Sequence, residues 1–125
     1  MSFIAGIVSL STSPLPDAHK SALLAALPET KDAPFIFSKP PALLVQMDLG
    51  AYEERGCFED EAGVVVLAGH PFFSSTSIED SMDGSRGAEA LHRASPVVRD
   101  TLAATSDGTW AGAIYGNQSG RLTLL

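Results

Sequence analysis

The side chains with the means to act chemically are few and far apart. Ser2 stands directly behind Met1 and is small, so removal of the initiator methionine would expose it as an N-terminal serine. A hydroxyl and a free α-amine on one residue make a nucleophile that carries its own base. The amine, with an unperturbed pKa of about 7.7–8.0, can take the proton while the oxygen attacks a carbonyl. A hydroxyl is far less ionised than a thiol, so such a serine depends all the more on donors for the oxyanion, each worth about 2.7–4 kcal/mol in a protease.

The other candidates have plainer readings. Cys57 is the one cysteine, which excludes an intrachain disulfide and points to a reducing compartment. It falls in the acidic stretch Glu53 to Glu61, expected to be a solvent turn, where carboxylates oppose a thiolate; it reads as an inert surface or packing thiol. His19, His70 and His92 share no metal-ligand spacing with one another or with Cys57 and read as solvated or structural histidines. His70 directly follows Gly69 and is the histidine placed to touch a ligand. Glu59, Asp60 and Glu61 read as hydrated turn carboxylates rather than a magnesium site. Asp80, Asp83 and Gly84 lack the full ligand set of a calcium loop, and Ser74 to Ser77 is a flexible loop. Trp110 sits in a strand and reads as core.

A formal net charge of -7, with eight scattered Lys and Arg of which Arg93 and Arg99 come nearest to a cluster, argues against nucleic acid, because phosphate binding needs grouped cations. No apolar run approaches the ~20 residues of a membrane span, and the apolar start lacks a basic segment and a cleavage site. A cytoplasmic protein without membrane partners is expected.

These residues must be positioned by elements that the patterning outlines. Phe3 to Leu10 is a β-branched apolar run and predicts a buried strand. After a breaker cluster at Ser11 to Pro14, Pro16 can open a helix that Ala18 to Leu27 continues, with Leu23, Leu24 and Leu27 on one side. Phe35 to Phe37 predicts a brief strand, Ala42 to Leu49 a longer one, and Gly63 to Gly69 the strongest. Pro71 to Gly87 is long for a loop. Ala88 to Ala94 predicts a short helix, and Ser95-Pro96 caps a second one over Val97 to Ala104. Thr109 to Tyr115 and Arg121 to Leu125 flank a turn of hairpin chemistry at Gly116 to Gly120. The order predicts an α+β domain with a mainly antiparallel sheet. The ending on Leu124-Leu125 within an apolar strand predicts a fragment.

Segments at both ends carry a resemblance. Met1-Ser-Phe-Ile-Ala-Gly-Ile-Val8 is similar to the Met-Cys-Gly-Ile-Ala-Gly-Ile opening of asparagine synthetases and related class II glutamine amidotransferases. Ser106-Asp-Gly-Thr-Trp-Ala-Gly-Ala-Ile-Tyr115 and Ser119-Gly-Arg-Leu-Thr-Leu-Leu125 resemble that family's late hairpin. Between them, Gly63 to Gly69 takes the place of the strand leading to the family's Asn-Gly pair, and Glu89-Ala-Leu91 that of its Asp-x-Glu-x-Leu helix start. Each motif is weak alone; the ordered set spans the chain.

The resemblance implies an N-terminal-nucleophile hydrolase-like αββα sandwich, incomplete at the C-terminus, in which Phe3 to Val8 and Thr109 to Tyr115 pair. It also implies a lost glutaminase. The family's cysteine position holds Ser2, and its Asn holds Ala68, although Gly69 keeps a backbone N–H for an oxyanion. The Asp that would hold the glutamine amine falls on Gly87, and the Arg-Leu carboxylate clamp has no counterpart around Val45 to Leu49. Ala68, His70 and Gly87 would then sit beside a chemically empty cleft.

The expectation is a non-hydrolysing amidotransferase-like domain of an ATP-dependent amide- or macrolactam-forming enzyme, similar to β-lactam synthetases and lasso-peptide macrolactam synthetases. ATP and magnesium would belong to a C-terminal synthetase domain outside this chain, and the chain itself would hold no cofactor. That synthetase domain is the expected partner, with a homodimer also allowed. The alternatives are an active hydrolase using Ser2 and a stand-alone binding or assembly module.

Overall fold

A computed structural model describes residues 2–11, 13–48, 56–69, 71, 73 and 84–125, with backbone alone at 84–86. Seven strands and three helices follow one another as β1 (Ser2–Val8), α1 (Asp17–Ala25), β2 (Phe35–Lys39), β3 (Ala42–Asp48), β4 (Cys57–Glu59), β5 (Gly63–Gly69), α2 (Gly84–Arg93), α3 (Pro96–Thr105), β6 (Trp110–Gly116) and β7 (Leu122–Leu124). The strands form two antiparallel sheets, ordered β1-β3-β2 and β4-β5-β6-β7.

Alternation along the strands builds the layers. Leu44 and Ala42 of β3 pack with Phe37 against Val64, Val66, Ala113 and Tyr115 of the opposite sheet, so this set forms the interior between the sheets. Leu43, Val45 and Met47 point the other way, onto Leu15 and the half-buried Leu23 and Leu27. Val65, Leu67 and Ile114 face away on the second sheet and meet Ala88 and Leu91 of α2 and Leu102 of α3. The result is four layers: α1, three strands, four strands, then α2 with α3. Strands β3 and β5 have both faces covered, which is why β5 reads as an unbroken apolar run and β3 as one broken by Gln46, rather than as alternating strands.

The helices owe their positions to these stripes rather than to strong intrinsic signals. Helix α1 starts after Pro16, with Asp17 in its first turn, and has no side-chain cap or fully buried residue. Leu23 and Leu27 dock it, whereas Leu24, expected on the same side, is 37% exposed; one helical position is a rotation of about 100° and carries the side chain off a narrow seam. Helix α3 has the expected N-cap: the Ser95 side chain accepts the N–H of Val98 at 3.4 Å, and Pro96 occupies the first turn.

Three expectations need correction. Phe3 to Val8 and Thr109 to Tyr115 do not pair: β1 bonds to β3, β6 bonds to β5 and β7, and the two segments lie in opposing sheets. The acidic stretch is not all turn, because Cys57–Glu59 forms β4 on the edge of the second sheet. Its half-buried Cys57 and Phe58 pack on opposite faces, toward the intersheet core and toward α2. Helix α2 begins at Gly84, four residues earlier than the helix formers suggested, since burial of Ala88 and Leu91 outweighs the low intrinsic propensity of glycine.

Candidate functional site

At the exit end of β5 the chain brings Ser2 and Gly69 together. The N–H of Gly69 donates to Ser2 Oγ at 2.7 Å, across 67 positions. Two features create this contact. Strand β1 pairs with β3 so that Ser2 lies opposite Asp48, and along β1 the residues Ile4 and Val8 face the intersheet core, which puts Ser2 on the same inward face by alternation. Strand β5 ends on a glycine with φ of 85°, and a Cβ there would collide with the carbonyl oxygen of Thr109. Only glycine takes that backbone turn without strain, so Gly69 is required by the fold as well as by any oxyanion role.

Ala68 and Gly87, the other two described positions that the resemblance assigns to the cleft, carry no functional group. Ala68 is half-buried, pairs with Ala111, and by alternation with Val64 and Val66 faces the sheet interior. Gly87 is buried in the second turn of α2, where an added Cβ would meet Pro71 and Phe73 at 3.6 and 3.7 Å. Among the described residues Gln46 is the one buried polar residue of the core, and its Oε1 has no hydrogen-bond partner there. It shares the inward face of β3 with Leu44 and lies opposite Ile4, two residues from Ser2 on β1. His70, Ser74 to Ser77, Asp80 and Asp83 lie outside the described residues, and Gly84 is the first residue of α2.

A second polar arrangement escaped the sequence reading. The side chain of His92 near the end of α2 is 7% exposed, and its Nε2 lies 2.7 Å from Oδ1 of Asp60 in the β4–β5 turn. The same oxygen accepts the N–H groups of Ala62 at 2.8 Å and Gly63 at 3.3 Å. The His92 hydrogen bond, then those two amides, hold the Asp60 carboxyl below the ordinary aspartate range despite some desolvation. An ionised acceptor fixes Nε2 as the donor. The imidazole also tilts over Phe58, with centroids 5.2 Å apart, and the Arg93 guanidinium lies 5.8 Å from the same ring.

Asp60 thus closes the β4–β5 turn while its side chain stays 43% exposed to solvent, and no group of three or more His, Cys, Asp or Glu that could hold a metal occurs among the described residues. The 32 positions between Asp60 and His92 left no spacing signal that could have linked them. Trp110 is half-buried against the helix-side core, as expected, with its indole N–H donating to Ser106 Oγ at 2.9 Å.

The described residues define a mixed α+β architecture with two antiparallel sheets and three helices. No helix of the described residues is long and apolar enough to cross a membrane. Compared with protein-family models, curated proteins and solved structures, the chain finds no match.

Proposed function

We propose that this chain is a degenerate glutamine-amidotransferase-like domain with N-terminal-nucleophile hydrolase-type layering. In this reading it no longer hydrolyses glutamine and serves as the structural partner of an ATP-dependent, asparagine-synthetase-like amide- or macrolactam-forming domain, which would supply the ATP and magnesium chemistry. The observation that carries the reading is the contact between Ser2 and Gly69. These are the two positions that the resemblance assigns to nucleophile and oxyanion donor.

The same contact argues for silence. The Gly69 N–H is already satisfied by the serine oxygen, so a substrate oxyanion must compete with it for the donor. Preorganised donors accelerate acyl transfer only when free to meet developing charge. Methyl and hydrogen at Ala68 and Gly87 offer nothing to grip an ammonium group or a carboxylate.

The test is glutamine turnover by the full natural protein. The expected result is no glutamate release, together with ATP-dependent release of AMP and pyrophosphate in the presence of the amine substrate. Glutamate release that disappears in Ser2→Ala would reject the silent-domain reading. The second reading, a hydrolase using Ser2, draws on the closeness of Ser2 Oγ to the Gly69 amide. Mass spectrometry of the mature N-terminus decides its first requirement: a retained Met1 leaves no free amine on Ser2.

A further inference from the structure

We propose that the groove between α3 and the β6–β7 hairpin binds a small oxyanion, a carboxylate or a phosphate, through Arg99 and Arg121. The groove has a volume of about 390 Å³, and its polar lining is His92, Arg99, Asp100, Ser119, Arg121 and Thr123. That volume suits a small metabolite, at the lower end of the range for ligand sites. It is separate from the Ser2 contact: it lies where Gly63 pairs with Gly116, whereas Ser2 meets the opposite end of β5 at Gly69. Seven-residue strands put roughly 20 Å between those ends.

Charge is the argument. In a chain of net charge -7 with scattered cations, two arginines, one from α3 and one from the hairpin, line this groove beside a single lining carboxylate, Asp100. Neither arginine is in an ion pair among the described residues. Arg99 Nε donates to the Leu91 carbonyl at 2.9 Å, and its Nη2 to the carbonyls of Ala94 at 3.2 Å and His92 at 3.5 Å. These neutral acceptors fix the side chain without cancelling its charge, so little ordering remains when an anion arrives. Guanidinium donors match the planar geometry of carboxylate and phosphate oxygens.

Hydroxyl donors stand beside the arginines. Ser119 and Thr123 line the same groove, and each hydroxyl can donate to an oxygen of the anion.

The test is a ¹H–¹⁵N NMR titration of the whole chain with inorganic phosphate and, separately, succinate. The expected result is a saturable shift of the Ser119, Arg121 and Thr123 amides with at least one probe. Binding should weaken at least about tenfold in Arg121→Ala, the loss expected for a charged hydrogen bond, and more modestly in Ser119→Ala. Both residues are exposed, so the fold should survive, as the unchanged remainder of the spectrum would show. Lys39→Ala, on the other sheet, should bind like the parent. Saturation by phosphate alone or by succinate alone assigns the ligand class. No saturable shift with either, or equal affinity in Arg121→Ala, overturns the proposal.

Discussion

Ser2 and Gly69 stand 67 positions apart, and one hydrogen bond of 2.7 Å ties the hydroxyl of the first to the amide of the second. It stitches the edge strand of the three-stranded sheet to an inner strand of the four-stranded one. Both ends of the bond are constrained. Ser2 is fixed by its register with Asp48, and Gly69 by a backbone angle that other residues resist.

Gly69→Ala should therefore destabilise more than Ser2→Ala. The alanine methyl collides with Thr109 at a positive φ, and such substitutions cost more than about 1 kcal/mol. Ser2→Ala removes one hydrogen bond and should cost on the order of 1 kcal/mol. Urea midpoints at a common slope give the comparison; equal losses would mean that the turn at Gly69 tolerates a side chain.

Leu91 has no exposed surface and sits between α2 and the second sheet, while Val98 on α3 is 50% exposed. Truncating a buried leucine to alanine costs about 2–5 kcal/mol, including the cavity left behind. Leu91→Ala should lose that much. Val98→Ala should stay within about 0.5 kcal/mol. Chemical denaturation of both variants checks whether α2 truly seals the sheet.

The Asp60–His92 pair should make stability depend on acid pH in a defined direction. The folded Asp60 carboxyl lies below its ordinary value, so its contribution is fully present above the unfolded pKa of about 3.9 and is lost as pH falls through the lower folded value. Asp60→Asn keeps an oxygen for the Ala62 and Gly63 amides while removing the charge. Wild type should be the more stable at pH 6, with the difference closing in acid. A gap that persists unchanged below pH 3 would assign the effect to packing.

The α3 cap offers a smaller, local test. Ser95→Ala removes the acceptor for the Val98 amide, a bond already long at 3.4 Å. The loss should lie near the lower end of the 0.5–2 kcal/mol range for N-caps, about 0.5 kcal/mol, and Ser95→Asp should recover it. Thermal melting of the three proteins reads the effect.

Strand and helix identity was legible wherever the signal was local. Gly63–Gly69 and Ala42–Asp48 announced themselves as apolar runs, Ser95-Pro96 as a helix start, and Gly116 to Gly120 as a hairpin turn. The acidic flank of Cys57 hid β4 because the pairing of Cys57 with Val66 and Phe58 with Val65 depends on a strand already present rather than on the propensity of three residues. Of the candidate site, Ser2 and Gly69 were named from sequence and do meet, whereas Asp60, His92 and Arg99 were not joined by any reading.

Side-chain period, breakers and caps act over a few residues, and they determined the number and kind of most elements, the acidic balance and the poverty of nucleophiles. Which strands become neighbours is set by burial of faces between elements far apart in the chain. Only the tertiary structure therefore decided that β1 bonds to β3 rather than to β6, that Ser2 touches Gly69, and that His92 closes on Asp60. Those pairings arise because two sheets and three helices can hide their apolar faces together only in layers, and the polar groups at the rims must then find partners wherever the layers leave them.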